Sequence, residues 1–68
     1  MAGSKLTQKQ ERFIAEYLID GNATAAYIRA GYKCRGAAAE VEAHRTLRKP
    51  LVAAALDAAR ARLAAKLE

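Results

Sequence analysis

The strongest constraint on the fold of this 68-residue chain is the set of helix-capping, turn and helix-ending residues between Asn22 and Pro50. Asn22 is a good N-cap for a helix over Ala23–Ala30, because its side-chain oxygen can accept a hydrogen bond from a first-turn N–H. Gly31 can adopt the left-handed backbone that closes such a helix. The sequence therefore predicts a short helix that is defined at both ends by local residues.

A second, longer helix is predicted from about Gly36 to Arg48. It ends before Pro50, since proline disfavours a helical conformation in the residue before it. A turn separates the two helices and carries Tyr32, Lys33, Cys34 and Arg35. Two helices joined by a tight, glycine-containing turn are typical of the helix-turn-helix, whose second helix can lie in the major groove of DNA.

At about 100° per residue, the second helix divides into two faces. The face expected to pack on the core comprises Ala37, Val41, Ala43, His44 and Leu47, with Glu40 as an exception to its apolar character. The opposite face is basic, small or hydroxylic and comprises Arg35, Ala38, Glu42, Arg45, Thr46 and Lys49. Such a face suits a groove lined with phosphates and base edges, but it is also typical of the solvated side of an amphipathic helix.

The segment before this pair predicts a first helix, which begins near Thr7 and ends near Ile19. Thr7 and Gln10 stand at the spacing of a capping box, in which each side chain binds the other residue's backbone N–H. Asp20 and Gly21 then stop the helix. A single apolar stripe runs along it and comprises Phe13, Ile14, Tyr17 and Leu18.

The segment after Pro50 predicts a C-terminal helix, because proline suits a first helical turn and the following residues are strong helix formers. Its apolar stripe comprises Val52, Leu56, Ala59, Leu63 and Leu67. The first half of the stripe is expected to cover the core. The second half is expected to extend beyond it and to pack on another copy, join a downstream domain or fray.

These patterns predict an all-α fold, a small helix-turn-helix bundle of three core helices plus a C-terminal helix. We expect residues 1–5 to be disordered, residues 6–50 to form the helix-turn-helix DNA-binding domain, and residues 51–68 to form the C-terminal helix. The chain has no Trp, 1 Phe and 3 Tyr, so the core is expected to be thin. Its predicted members are Phe13, Ile14, Tyr17, Leu18, Tyr27, Ile28, Val41 and Leu47.

The net charge of the chain indicates a polyanionic partner. The chain has 12 Lys and Arg against 7 Asp and Glu, a net charge of +5, which in so small a body favours nucleic acid before a membrane surface. We expect double-stranded DNA as the partner, with Lys9 or Arg12 as further phosphate contacts. For Arg29, a solvated surface role is an equal alternative. The predicted DNA contacts are Arg29, Lys33, Arg35, Arg45, Arg48 and Lys49.

The sequence offers little for catalysis or metal binding. The single cysteine, Cys34, excludes an internal disulfide and a cysteine-built zinc site. The single histidine, His44, has no recognisable catalytic partner, and no nucleotide-binding glycine motif is present. We therefore predict no enzyme activity, cofactor or metal. No apolar run approaches the ~20 residues of a membrane span, and the polar N-terminus does not resemble a signal peptide.

Several runs of this sequence resemble the N-terminal DNA-binding domain of phage terminase small subunits. They include K-Q-E-R-F from Lys9, N-A-T from Asn22 and A-G-Y from Ala30, in that order. The Leu47–Val52 segment resembles the family's leucine–basic–proline junction into the next helix. The resemblance covers about Leu6 to Leu56, and it departs from the family pattern at Lys33–Ala39, which is slightly longer and leaves helix phasing there open.

The resemblance implies a viral protein of the host cytoplasm that recognises the packaging start site on concatemeric DNA. It further implies delivery of that DNA to a large terminase subunit, which carries the ATPase and nuclease. Family members use a separate central region to form a ring, so the resemblance implies that residues 51–68 lead toward an absent oligomerisation region. Homo-oligomerisation is expected through the C-terminal helix or that missing region. Two alternatives remain open: a helix-turn-helix transcriptional regulator, and a helical interaction module without DNA that uses Leu56, Leu63 and Leu67.

Overall fold

The computed structural model describes residues 6–66, and within that range all regular secondary structure is helical. Helix α1 spans Gln8–Asp20, α2 Ala23–Arg29, α3 Gly36–Leu47 and α4 Pro50–Lys66. The predicted all-α class is confirmed. The predicted disorder of residues 1–5 and the predicted role of Leu67 lie outside the described residues.

The helix ends follow the local signals of the sequence. The Gln10 N–H donates to Oγ1 of Thr7 at 3.1 Å and the Thr7 N–H donates to Oε1 of Gln10 at 3.0 Å, so the predicted capping box is present. Gly21 ends α1 in the left-handed conformation, with φ of 71°. Oδ1 of Asn22 accepts from the Ala25 N–H at 3.0 Å and caps α2. Helices α1 and α2 are thereby fixed by side chains within a few residues of their ends.

The core is built from one phenylalanine and several alanines. Phe13 is fully buried and meets the edge of Tyr27, with ring centroids 5.8 Å apart and an interplanar angle of 83°. Ala26, Ala39 and Ala43 are also fully buried. Because alanine has no side chain beyond Cβ, α2 and α3 can pack closely and fill the thin core at native density.

The buried face of α3 differs from the predicted one. Val41 was expected in the core but is 54% exposed, whereas Ala39 and Thr46 are buried. Ala37 and His44 also face outward, and Glu42, expected on the outer face, is half-buried. The observed face is rotated by about one residue, or ~100°. Hydrophobicity favoured Val41, but the close contact of α3 with its neighbours selects small side chains.

Burial of Thr46 is compatible with its hydroxyl, because Oγ1 donates to the carbonyl oxygen of Glu42 at 2.8 Å. A second expected core residue, Ile28, is 40% exposed on α2. Val52 and Leu56 of α4 are buried in the core cluster, from which Val41 and Ile28 are absent. The predicted places of Phe13, Ile14 and Tyr27 are confirmed.

Helix α4 covers the core with its first half and extends past it with its second half. Val52 and Leu56 are buried, while Leu63 is 46% exposed. The guanidinium of Arg60 lies over the Tyr17 ring at 5.8 Å from its centroid, which adds a contact between α4 and α1. Among the described residues, no helix has the length and apolar character needed to cross a bilayer.

Candidate nucleic-acid interface

Helix α3 presents an outward face with Val41 near its centre. The members of this face are exposed and share one side of the helix: Ala37, Ala38, Val41, His44, Arg45 and Arg48. Four of them, Val41, His44, Arg45 and Arg48, line an open recess of about 330 Å³. We call this set the α3 face. It combines two arginines with small and apolar side chains, so a flat partner can approach the helix backbone closely.

The turn before α3 is held in place by stacked aromatic rings. Tyr32 lies parallel to Tyr27, with centroids 4.0 Å apart and planes 3° from parallel. The Lys9 ammonium of α1 lies 5.5 Å from the centroid of Tyr32. Burial raises the pKa of both tyrosines, which keeps the phenols neutral. Sequence reasoning missed this stack, for which the spacing of two tyrosines around Gly31 is the only local signal.

That turn carries two of the predicted DNA contacts, Lys33 and Arg35, and both are exposed. Arg35 occupies the N-cap of α3 in an extended conformation and supplies no side-chain cap. The first-turn N–H groups of α3 therefore have no side-chain acceptor. At the other end, Arg48 and Lys49 are also exposed. Cationic side chains thus stand at both ends of α3.

Arg45 is the most central cation of the α3 face, and its side chain is 68% exposed. Its Nη1 lies 3.7 Å from Oε2 of Glu42, one turn earlier on the same helix. Such a long, exposed ion pair is weak. Among the described residues, Lys33, Arg35, Arg48 and Lys49 have no carboxylate within ion-pair distance. Of the five cations in and around α3, only Arg45 therefore has a carboxylate at ion-pair distance among the described residues.

Arg29, the sixth predicted DNA contact, binds residues of α1. Its Nε donates to Oε1 of Glu16 at 2.6 Å, and its Nη2 donates to the Glu16 carbonyl oxygen at 3.1 Å. Both terminal nitrogens also donate to the Asp20 carboxylate, at 3.3 and 3.4 Å. The hydrogen bonds that Arg29 donates, first to Glu16 and then to Asp20, raise the pKa of its guanidinium. Its DNA contact stays a prediction, but its charge is compensated by α1.

Comparison with known proteins identifies the family. The family model described as "Terminase small subunit" matches residues 6–68. The chain belongs to the terminase small subunit family. The resemblance noted in the sequence is therefore confirmed, and the cationic α3 face belongs to a terminase small subunit domain.

Two curated terminase small subunits are similar to this chain, one from Bacillus phage SF6 and one from Bacillus phage rho15. Each is 49% identical over 59 residues, which is 85% of this chain and 39% of the relative. The chain therefore spans well under half the length of these terminase small subunits. No solved structure matches it.

The terminase small subunit domain has a second notable surface, an apolar groove between α1 and α4. It has a volume of about 450 Å³ and is lined by Ala15, Leu18, Ile19, Ala59, Arg62, Leu63 and Lys66. Ile19 is 74% exposed at its edge. This surface lies on different helices from the α3 face, so the two can bind different partners.

The described residues contain no group of three or more His, Cys, Asp or Glu side chains placed to hold a metal ion. His44, predicted to face the core, is exposed on the α3 face, since the helix is rotated from the expected phase. Cys34 is half-buried in the turn. The absence of catalysis and of a cofactor in this terminase small subunit domain stays a prediction.

Proposed function

We propose that this chain is the DNA-binding module of a viral terminase small subunit. In this role it recognises the packaging initiation site and presents the DNA to the large ATPase and nuclease subunit, in the cytoplasm of the infected host. The observation that carries the proposal is the α3 face, on which Arg45 and Arg48 project into solvent beside small and apolar residues. Family membership supports the same reading.

The dimensions of α3 suit a major groove. The helix has 12 residues and is about 18 Å long at ~1.5 Å per residue, which exceeds the ~12 Å width of the groove. When the helix lies in the groove, its two ends approach phosphates on opposite sides. Lys33 and Arg35 stand at one end, and Arg48 and Lys49 at the other. This arrangement supports phosphate contacts that fix the helix while its middle faces base edges.

A single module of this size makes a small interface, of about 600–1,000 Å². We therefore expect weak binding by one copy and a large gain when several copies engage one DNA molecule. Because cationic contacts to phosphates release counterions, each phosphate contact contributes about −0.9 to the slope of log affinity against log salt.

The proposal is tested by fluorescence anisotropy with a labelled duplex that contains the packaging region of the cognate genome. We expect affinity to fall steeply as salt rises, and Arg45→Ala and Arg48→Ala to weaken binding with no change in helicity. The matched control is Arg62→Ala, which removes the same charge from an exposed position on α4. Salt-insensitive binding, or an equal loss of affinity with Arg62→Ala, would reject the proposal.

A second candidate function is favoured by the groove between α1 and α4. Ile19 and Leu63 leave apolar area uncovered there, as expected for a protein-interaction module. In that case the basic α3 face would serve solubility. Sizing chromatography of the wild type beside Leu63→Ser separates the two: a discrete oligomer that Leu63→Ser disrupts, together with no salt-sensitive DNA binding, would favour the interaction module.

A further inference from the structure

Val41 is exposed at a position where the stability of the fold does not require a valine. It is 54% exposed near the centre of the α3 face, while alanines and Thr46 fill the opposite, buried side of the helix. Valine is a poorer helix former than alanine, lysine or glutamate. A solvated face of α3 would thus gain from any of those residues at this position. On the α3 face these methyl groups stand beside small and cationic side chains, which suits a partner that carries an apolar feature next to hydrogen-bond acceptors.

The residues around Val41 indicate which chemical groups that partner presents. Ala37 and Ala38 precede it by one turn on the same side, and their short side chains let a surface come close to the helix. Arg45 follows it by one turn and lines the same recess. In the major groove the apolar feature is the C5-methyl group of thymine, and the commonest specific partner of arginine is guanine O6 and N7.

We propose that Val41 and Arg45 form a base-reading site for a thymine methyl group and a nearby guanine. The inference rests on the proposed DNA-binding function and adds that α3 reads sequence rather than phosphates alone. The N-terminal part of a recognition helix contacts base edges in a helix-turn-helix, and Val41 lies in the first half of α3. Arg45 lies one turn later, but helical side chains tilt toward the N-terminus, so its long side chain extends toward the same part of the helix.

The spacing of the two side chains limits how far apart the two bases stand. Four residues of helix rise by roughly 6 Å, and base pairs succeed one another every ~3.4 Å. Because a helix in the groove is inclined to the DNA axis, this rise projects to at most about 6 Å along the duplex, so the thymine and the guanine are expected no more than two base pairs apart. Arg48 lies one turn further on and is exposed at the end of the helix, where a phosphate is the nearer partner.

The experiment removes the methyl group without changing any hydrogen bond of the base. Duplexes that bind the wild-type chain are selected from a random pool, and each thymine of a selected duplex is replaced in turn by deoxyuridine. We expect one position at which the replacement weakens binding by about fourfold, the size of one buried methyl-sized group. Val41→Ala should bind the thymine and deoxyuridine duplexes equally at that position.

Two controls keep the result specific. Ile19→Ala shortens an exposed β-branched side chain on α1, away from the α3 face, and should keep the discrimination. Circular dichroism of Val41→Ala should match the wild type, since the side chain supports no core contact. Arg45→Ala should relax the preference for guanine among newly selected duplexes.

The outcomes separate the two proposals. Salt-sensitive DNA binding with no thymine position that discriminates, or undiminished discrimination in Val41→Ala, would overturn the base-reading site and leave the DNA-binding function standing. Absence of salt-sensitive binding to any duplex would overturn both.

Discussion

The Arg29 guanidinium joins α2 to α1, with its Nε 2.6 Å from Oε1 of Glu16. The Asp20 carboxylate, 3.3 Å from Nη1, completes the pairing at the end of α1. This arginine therefore differs from the cations around α3, which lack such close partners among the described residues. Among the described basic residues, Arg29 joins two helices through ion pairs, and Lys9 and Arg60 contact aromatic rings, whereas those around α3 face solvent.

Removal of Arg29 should affect stability rather than DNA binding. We expect Arg29→Ala to lower Tm, because α2 loses its hydrogen bonds to Glu16 and Asp20. DNA affinity below the transition should fall less than it does in Arg45→Ala, because the Glu16 and Asp20 carboxylates already engage the Arg29 guanidinium. Arg45→Ala should show the reverse pattern, since its pair with Glu42 is long and exposed. Thermal melts and anisotropy on both variants test this; a larger loss of affinity in Arg29→Ala would contradict it.

Stability should fall in acid partly through Asp20. Its pKa lies below the ordinary value of 3.8, first because the carboxylate accepts from the Asn22 backbone N–H and then because of Arg29. A lowered folded-state pKa means that the ionised form stabilises the fold above 3.8, and that this contribution is lost as pH falls below 3.8. Urea unfolding of Asp20→Asn should therefore depend less on pH in this range. An equal dependence of the unfolding free energy on pH in the variant and the wild type would refute this role of Asp20.

The contact between α2 and α3 should not tolerate larger side chains. Ala43 is fully buried, so Ala43→Leu should destabilise the domain by about 1–3 kcal/mol through overpacking. Ala38→Leu makes the same change at an exposed position of the same helix and should alter the unfolding free energy far less. Denaturant unfolding followed by circular dichroism compares the two. Equal losses would mean that α3 is packed on a different face.

Glu42 should restrain DNA binding by Arg45. Its carboxylate lies 3.7 Å from the guanidinium, and that pair must be loosened when Arg45 meets a base or phosphate. We expect Glu42→Gln to strengthen binding by up to about fivefold, the size of one exposed ion pair. Glu11→Gln makes the same charge change on the exposed side of α1 and serves as the control. An equal gain from both variants would indicate a general charge effect only.

The helix ends could be predicted from sequence because their determinants are local. Thr7 and Gln10 are three residues apart, and Asn22 bonds the residue three positions later. The phase of α3 could not be predicted in the same way. Burial of Ala39 in place of Val41 depends on the size of the space beside α2, which hydrophobicity alone does not report.

The candidate site could also be predicted only in part, because local sequence indicates which side chains are exposed but not which ones pair between helices. The exposure of Arg45, Arg48 and Lys49 follows from their place on and after α3. The pairing of Arg29 was missed because Glu16 belongs to another helix, 13 residues earlier in the chain. The packing of α2 against α1 brings the two side chains together.

The most direct measurement is a titration of isotope-labelled protein with duplex DNA, followed by amide chemical shifts along the chain. The largest changes are predicted at Ala37, Val41, Arg45 and Arg48, with smaller ones in the turn before α3. The account is contradicted if the α3 amides stay unmoved while the largest changes fall at Leu18, Ile19 and Leu63 in the groove between α1 and α4.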